Sequence, residues 1–235
     1  MEQLKDFFAN KQVASILDAG SGTGDFIEVL KNVFPRSKIT GIDPNTESLQ
    51  EAEKKYPDVS FIEMSAEKLD FGDNTFDLAS ISMALHHLPN VQKALKEMQR
   101  VVKPDGWIIV NELFSDNLNP AQEVHKMFHH FRSKIDRLTG VNHQETFKKE
   151  EIREMIKQSG IQILFDFENN NEVNLIAETG ELEIRIKKMK KHLGKIKDLP
   201  EYEVLKPQIK KFRQRALLHG FQSATRIVVV GKPGG

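Results

Sequence analysis

The stretch Ile16–Phe26, ILDAGSGTGDF, decides the fold of this 235-residue chain. An apolar run leads into three glycines at alternate positions, and a helical pattern follows from Asp25. Glycine has no Cβ atom, so three glycines in one loop let a ligand approach the backbone closely. In open α/β sheets such a loop follows the carboxyl end of the first strand, where ligands bind. We therefore expect a ligand site at this loop.

The sequence around this stretch alternates short apolar runs with helical patterns, which is the signature of βα units and a parallel sheet. Five strands are predicted first, at Ser15–Asp18, Lys38–Ile42, Ser60–Glu63, Phe76–Ser82 and Trp107–Leu113. The helices predicted between them are Asp25–Phe34, Thr46–Tyr56 and Val91–Val102. Two later strands are predicted at Ile161–Phe167 and Thr225–Val230. The pattern therefore predicts an α/β fold with seven strands.

Helical patterns dominate after residue 114. Asn119 and Pro120 are the residue types preferred at the cap and the first position of a helix, and apolar residues then share one face as far as Leu138. A further helix is predicted at Lys148–Ser159. A long insertion separates the last two strands, and its apolar residues form two stripes at helical spacing, which predicts a helical hairpin.

Composition excludes several classes of function. The 34 basic residues balance the 34 acidic ones, so there is no overall electrostatic attraction to nucleic acid or to membranes. The absence of cysteine excludes a disulfide framework, a cysteine metal site and a thiolate nucleophile. The first ten residues contain no long apolar run, so we expect no signal peptide, no membrane span and a cytoplasmic location.

The residues of the glycine loop indicate what kind of ligand it binds. A dinucleotide fingerprint would place glycine at position 25, where this chain has Asp25. A carboxylate in the first helical turn repels a pyrophosphate, whereas S-adenosylmethionine has no phosphate and carries a sulfonium and an ammonium group. Asp18, at the end of the preceding strand, is expected to pair with that ammonium. The loop therefore favours a cationic nucleoside.

A second acid follows the second strand. The run Ile39–Asp43 is an apolar strand that ends in a carboxylate, about twenty residues beyond the glycine loop, the spacing at which Rossmann folds bind ribose hydroxyls. We predict Asp43 as the ribose ligand. The alternative is that Asp43 only caps the following helix, Thr46–Tyr56.

Three further segments, Phe61–Glu67, Phe76–Ser80 and Arg100–Trp107, resemble the later motifs of class I S-adenosylmethionine-dependent methyltransferases. The resemblance is closest to the group that includes the ubiquinone/menaquinone-biosynthesis methyltransferases. It implies a Rossmann-like seven-stranded sheet, mostly parallel with the last strand antiparallel, with helical cap insertions, and S-adenosyl-L-methionine as the cofactor. The cofactor-binding residues that it implies are Asp18, Gly20, Ser21, Gly22, Gly24, Asp43, Pro44, Ser65, Ala66, Glu67 and Ser82. The family usually has an acid where this chain has Ser65, so Ser65 must contact the adenine instead.

The acceptor side is predicted from histidines. His86 and His87 follow the fourth strand near the expected position of the methyl group, where an imidazole can act as a general base. The alternative is that both only shape the pocket. A substrate pocket is predicted from His125, His129, Arg132 and His143, and the acceptor is expected to enter on the side covered by Asn119–Leu138 and the hairpin. His125 and His129 have the spacing of metal ligands, but no acid lies at a matching position and no metal site is predicted.

These observations predict one domain over 1–235, with a cofactor-binding core at 13–114, a helical cap segment at 119–160 and a hairpin insertion at 169–222. The predicted function is methyl transfer from S-adenosylmethionine to a small-molecule acceptor. Two alternatives stay open, a noncatalytic cofactor-binding or assembly module and an RNA methyltransferase that uses the basic stretch Arg185–Lys197. The charges of that stretch alternate with an apolar stripe, so a solvated helix is expected there rather than a nucleic-acid site. The hairpin is expected to cap the pocket, with a homodimer contact as the alternative.

Overall fold

The computed structural model describes residues 1–170 and 180–234, and these residues contain the seven predicted strands. The strands are β1 Ser15–Ala19, β2 Lys38–Asp43, β3 Ser60–Glu63, β4 Phe76–Ser82, β5 Val102–Leu113, β6 Gln162–Asn169 and β7 Arg226–Lys232. They form one sheet in the order β3-β2-β1-β4-β5-β7-β6. The helices are α1 Glu2–Phe8, α2 Asp25–Val33, α3 Thr46–Lys55, α4 Val91–Val101, α5 Pro120–Leu138, α6 Lys149–Gln158, α7 Glu181–Leu193 and α8 Glu201–His219.

The described chain divides into two compact units. Among the described residues, the first contains 1–112, 150–169 and 227–234, and the second contains 113–149, 170 and 180–226. The first unit therefore holds nearly all of the sheet, while the second is helical. The predicted cap segment is divided between them, because its second helix, α6, falls almost wholly in the first unit. Part of the predicted insertion, residues 171–179, lies outside the described residues.

The register of the parallel strands brings the predicted ligand residues to one edge. Asp18 in β1 is level with Gly41 in β2 and with Ser80 in β4. The carboxyl ends of β1, β2, β3 and β4 therefore lie side by side, as in other open α/β sheets.

The last strand is antiparallel, as predicted. Gly231, near the end of β7, lies against Gln162 at the start of β6, since a Cβ atom on Gly231 would fall 2.8 Å from the carbonyl oxygen of Gln162. The backbone N–H of Phe114, just beyond β5, donates to the carbonyl of Thr225, just before β7. In each contact the end of one strand lies beside the beginning of its neighbour in the sheet, as expected for antiparallel strands.

Two elements of the first unit differ from the prediction made from the sequence. The helix α1 was not predicted, because seven residues are too few to show a helical period. It buries Leu4 and Phe8 in the core of the first unit, where the Phe8 ring lies 5.5 Å from that of Trp107. The strand β5 begins at Val102 rather than at Trp107, because the chain passes directly from α4 into pairing with Phe76.

The second unit is built around one apolar cluster on three helices. Asn119 caps α5 as predicted, in a capping box with Gln122. The stripe of α5 packs with the two stripes of the hairpin helices, and the cluster contains Val124, Phe128, Phe131, Ile135, Ile186, Met189, Leu193, Ile196, Leu205, Phe212, Ala216 and Phe221. The hairpin stripes are therefore interior residues of the second unit. Within the described ranges, no helix is both long and apolar enough to span a membrane.

Candidate functional site at the carboxyl edge of the sheet

The glycine loop adopts a backbone that only glycine accepts readily. Gly20, Gly22 and Gly24 have φ angles of 70°, 50° and 82°, all in the left-handed region. A Cβ atom on Gly20 would meet the Cβ of Ala84 at 2.7 Å, so this glycine is needed for close packing. A Cβ atom on Gly22 would meet nothing within 4 Å. The loop is thus packed at one glycine and open at another, which leaves room for a ligand beside Gly22.

Asp18, the last but one residue of β1, is a buried carboxylate with a hydrogen-bond partner at only one of its two oxygens among the described residues. Its side chain is 1% exposed, and its Oδ1 accepts a 2.6 Å hydrogen bond from the Ser80 hydroxyl. Its Oδ2 has no hydrogen-bond partner among the described residues. Burial raises the pKa of Asp18 to about 7, the hydrogen bond from Ser80 opposes this rise, and the charge of Asp43 adds to it. A buried oxygen without a partner is costly, so this one is suited to a cationic donor from a ligand.

Asp43 connects the second strand to the glycine loop. Its Oδ2 accepts from the backbone N–H of Gly22 at 2.9 Å, and its Oδ1 accepts from the backbone N–H of Asn45 at 2.8 Å. The N-cap of α3 is Asn45, whose side chain accepts from the Ser48 N–H, so the alternative role of Asp43 as that cap is wrong. Pro44, which follows Asp43, is exposed. Each carboxylate oxygen has two lone pairs and can accept a further hydrogen bond from a ligand.

The polar residues predicted in the loops after β1 and β3 already make hydrogen bonds within the protein. The Ser65 hydroxyl accepts from the Glu67 N–H at 3.2 Å, and Ala66 between them is buried. The Glu67 carboxylate accepts from the N–H of Asn90. The Ser21 hydroxyl and N–H both donate to the Ile42 carbonyl. These contacts fix the loops, and each hydroxyl keeps an acceptor lone pair for a ligand.

Two residues at the end of β5 organise the exit from β4, and the sequence analysis missed both. The side-chain amide of Asn111 donates to the Ser82 hydroxyl at 2.8 Å, and the backbone carbonyl of Asn111 accepts from the N–H of Met83, which has a left-handed φ of 54°. Glu112 is 0% exposed, and its Oε2 accepts from the N–H of Leu85 at 3.0 Å. The signal was an amide and a carboxylate within the otherwise apolar run Trp107–Leu113.

The two predicted catalytic histidines have different surroundings. His86 is 3% exposed, and its Nδ1 lies 3.0 Å from Oε1 of Glu112. His87 is exposed, although its ring centroid is 4.3 Å from that of His86. The two side chains are adjacent in sequence, and the ring of His86 is oriented by a buried carboxylate. His86 is therefore the better placed of the two for a defined chemical role.

The four residues predicted to form the substrate pocket all lie in the second unit, where two of them, His129 and His143, are in contact. The rings of His129 and His143 are in edge contact at 4.8 Å. His125 instead packs on Phe221, and its Nδ1 accepts from the N–H of Ala224. Burial, assisted by Arg185 and Arg226, lowers the pKa of His125 to about 4, so this imidazole is neutral at pH 7. Arg132 is half-buried on α5.

A buried carboxylate that was not predicted contacts two histidines of the second unit. Asp136 in α5 accepts from Nδ1 of His143 at 2.7 Å and from Nε2 of His192 at 3.0 Å. Its pKa is lowered, because these two hydrogen bonds and their charges outweigh the effect of burial, which alone would raise it. His192 lies outside any recognisable motif, so no sequence signal pointed to this contact.

Comparisons with known proteins agree with this geometry. Residues 17–110 match the family model described as a methyltransferase domain, which covers the glycine loop and the ends of β2, β3 and β4. Over its full length the chain superposes on the solved structure of BH2331 from Bacillus halodurans with a TM-score of 0.68 at 18% identity, covering 98% of that chain. That likeness concerns the fold.

Curated relatives carry the resemblance further. The demethylmenaquinone methyltransferase of Staphylococcus aureus strain JH9 is 31% identical over 172 residues, which cover 67% of this chain and 71% of the relative. That of Chlorobaculum tepidum is 30% identical over 61% of this chain and 58% of the relative. The chain thus spans less than two thirds of the length of several relatives that it matches. The carboxyl edge and these matches together identify the chain as a member of the class I S-adenosylmethionine-dependent methyltransferases, related to the ubiquinone/menaquinone-biosynthesis enzymes.

Proposed function

We propose that this protein transfers the methyl group of S-adenosylmethionine to a small-molecule acceptor. The observation that carries the proposal is the buried Oδ2 of Asp18, which lacks a partner among the described residues and lies at the end of β1, directly before the glycine loop. The loop is open at Gly22, where a ligand can approach the backbone. A cationic ligand with hydroxyl groups fits this combination of charge and space.

The residues of the carboxyl edge fit the cofactor group by group. Asp18 offers a carboxylate oxygen to the ammonium, and the ion pair would favour the charged form of both groups. Asp43 offers its remaining lone pairs to the ribose hydroxyls. Its hydrogen bond from the Gly22 N–H fixes the carboxylate relative to the glycine loop. Ser65 and the buried backbone at Ala66 are the groups proposed for the adenine. When bound, the cofactor supplies an electrophilic methyl group on a sulfonium.

The acceptor class follows from the relatives and from the need for a base. The relatives are named for demethylmenaquinone and for C-methylation in ubiquinone and menaquinone biosynthesis, so a quinone precursor is the first acceptor proposed. A carbon that attacks the methyl group must later lose a proton. The geometry around His86 favours this residue over His87 as the proton acceptor, because a buried carboxylate orients its ring.

The alternative function as an RNA methyltransferase receives less support. Arg185, the first cation of the stretch proposed for RNA, stacks its guanidinium 3.9 Å from the ring centroid of Phe221 and pairs with Glu181. It is therefore part of the packing of the second unit. The lysines that follow it are exposed on the other side of a buried stripe, the arrangement expected for a solvated helix.

A homodimer through the apolar stripes of the hairpin is also not supported. Met189 and Phe212 are fully buried in the second unit's own core, so they offer no surface to a partner. A dimer through these stripes is therefore not proposed, and light scattering checks the oligomeric mass.

The test is mass spectrometry of reactions that contain S-adenosylmethionine with an isotopically labelled methyl group. Demethylmenaquinone is the first acceptor, followed by a metabolite extract. We expect label in a small organic product and stoichiometric formation of S-adenosylhomocysteine. Label recovered only in RNA would favour the RNA methyltransferase, and cofactor binding without labelled product on any acceptor would favour the noncatalytic module. A Gly22→Val variant serves as the control for enzyme-independent methylation.

A further inference from the structure

We propose that Glu112 is the residue that positions His86, so that Nδ1 of the imidazole is protonated and Nε2 carries the lone pair. The inference rests on the proposed function only in one respect, namely that Nε2 accepts a proton from the methyl acceptor. Its structural content concerns the first unit alone and can be tested without turnover.

The first support is the way in which one carboxylate holds both a turn and a side chain. Oε2 of Glu112 accepts from the backbone N–H of Leu85 at 3.0 Å, and Oε1 lies 3.0 Å from Nδ1 of His86. Leu85 and His86 belong to the same short helical turn, Leu85–His87. Glu112 therefore fixes the backbone of the turn and the orientation of the ring together.

The second support is the pattern of hydrogen bonds at the two oxygens of Glu112. The backbone N–H of Leu85 can only donate, so Oε2 of Glu112 accepts from it. In the arrangement that we propose, Oε1 accepts as well, and the hydrogen between Oε1 and His86 resides on Nδ1. In a neutral imidazole one nitrogen carries the hydrogen and the other the lone pair. Nε2 is consequently the nitrogen that can take a proton from an acceptor or bind an electrophile.

The third support is energetic. Glu112 and His86 are 0% and 3% exposed, and burying a carboxylate costs free energy unless hydrogen bonds compensate it. An apolar residue would serve the core of β5 at lower cost, since its neighbours Ile109, Val110 and Leu113 are all apolar. The neighbouring Asn111 also fixes the exit from β4, through the Met83 N–H and the Ser82 hydroxyl. Both polar residues at this end of β5 thus act on the segment that carries His86.

In the proposed reaction, Glu112 does not touch the acceptor. The acceptor carbon forms a bond to the methyl group as the bond from methyl to sulfur breaks, and the electron pair of that bond stays on sulfur. The proton that the acceptor then loses goes to Nε2 of His86, which becomes an imidazolium. Glu112 stabilises that cation across the Nδ1 hydrogen bond.

The direct test is nitrogen-15 NMR of protein labelled in histidine, with the His86 signals assigned by their loss in His86→Gln. At pH 8 we expect Nδ1 of His86 to show the shift of a protonated nitrogen and Nε2 that of an unprotonated one. In Glu112→Ala the preference should be lost. The matched control is Asp77→Asn at the opposite end of β4, which also removes a carboxylate that accepts from backbone N–H groups, at Ala14 and Ser15. It should leave the His86 signals unchanged.

Kinetics provide the second readout. Glu112→Gln should lower kcat by about 10- to 100-fold, the loss seen when the hydrogen-bond partner of a metal-ligating histidine is removed. The KM for the cofactor should change little. Combining Glu112→Gln with His86→Gln should cost no more than His86→Gln alone, because Glu112 acts through His86.

The outcomes separate the inference from the proposed function. A protonated Nε2 in the wild-type protein, or wild-type His86 signals in Glu112→Ala, would overturn the positioning role even if the enzyme is active. The expected NMR result in a protein that methylates nothing would support the positioning role and contradict the proposed function. Additive losses in the double variant would show that Glu112 acts on something other than His86.

Discussion

Two buried aspartates, one in each unit, illustrate how differently the two units use polar groups. Asp136 in the second unit has both oxygens engaged by His143 and His192, and its pKa is lowered. Asp18 in the first unit has one oxygen without a partner in the described part of the chain, and burial raises its pKa to about 7. A satisfied carboxylate contributes to packing, whereas an unsatisfied one at a sheet edge is suited to a ligand.

Two glycines show the same contrast. Gly22 in the first unit and Gly140 in the second both have left-handed φ angles, of 50° and 81°, and a Cβ atom on either would meet nothing within 4 Å. Gly140 only ends the helix α5, while Gly22 donates to Asp43 beside the proposed cofactor. Position relative to the carboxyl edge, rather than local conformation, distinguishes a ligand residue from a structural one.

The largest effect is expected in the core of the second unit. Met189→Asp places a charge at a fully buried position, so it should destabilise this unit by about 4 kcal/mol, in the range for severe core substitutions. Lys188→Asp is the matched control, because Lys188 is exposed on the same helix. Hydrogen exchange should accelerate in α5, α7 and α8 of Met189→Asp only. Equal protection in the two variants would show that the hairpin stripe is not a core.

The next effect tests the two glycines against each other. Gly22→Val and Gly140→Val should each cost about 1–2 kcal/mol of stability, because a left-handed backbone disfavours any residue with a Cβ atom. Only Gly22→Val should also weaken S-adenosylmethionine binding, by about 100-fold or more, equivalent to roughly 3 kcal/mol. Thermal unfolding and calorimetry measure the two quantities. Equal cofactor affinity in the two variants would remove Gly22 from the site.

The comparison also shows how much the sequence reveals. All seven strands were predictable, because apolar β-rich runs that alternate with helical patterns are compatible with few folds other than an α/β sheet. The acids near the ends of β1 and β2 were predictable because they follow a known spacing. Asn119 and Pro120 likewise predicted where α5 begins. These features are local, so a single sequence contains them.

Contacts between distant segments were not predictable. Glu112 meets His86 across 26 residues and Asp136 meets His192 across 56, and no period or motif links either pair. The role of Asn45 as the α3 cap was missed because Asp43, two residues earlier, has the same capping chemistry. The two stripes of the hairpin indicated that a partner surface existed, but only the fold shows that α5 provides it.

A smaller effect separates cofactor binding from helix capping. Asp43→Ala should weaken S-adenosylmethionine binding by about 1.5–3 kcal/mol, the range for hydrogen bonds to a charged group. It should also lower stability, because the N–H groups of Gly22 and Asn45 lose their acceptor. Asn45→Ala, the control, should cost about 1 kcal/mol of stability through loss of the α3 cap without changing cofactor affinity. If both variants bind the cofactor like the wild type, Asp43 is structural only.

The smallest effect concerns pH and the two aspartates. The folded-state pKa of Asp18 is raised, so its contribution to the stability of the ligand-free protein is present near pH 4 and is lost as the pH rises through about 7. Asp18→Asn should therefore raise the Tm at pH 8. The pKa of Asp136 is lowered, so its contribution is present at neutral pH and is lost on acidification, and Asp136→Asn should lower the Tm at pH 8. Shifts of the same sign would contradict the contrast between the two carboxylates.

The most direct test of the central claim is calorimetric titration of the wild-type protein with S-adenosylmethionine, S-adenosylhomocysteine and NAD at several pH values. We expect one saturable site for the first two ligands and negligible binding of NAD. Affinity for S-adenosylmethionine should fall by up to about tenfold per pH unit below pH 7, as Asp18 takes up a proton, and Asp18→Asn should abolish that dependence. Tight binding of NAD, or no binding of either methionine nucleoside, would contradict the account.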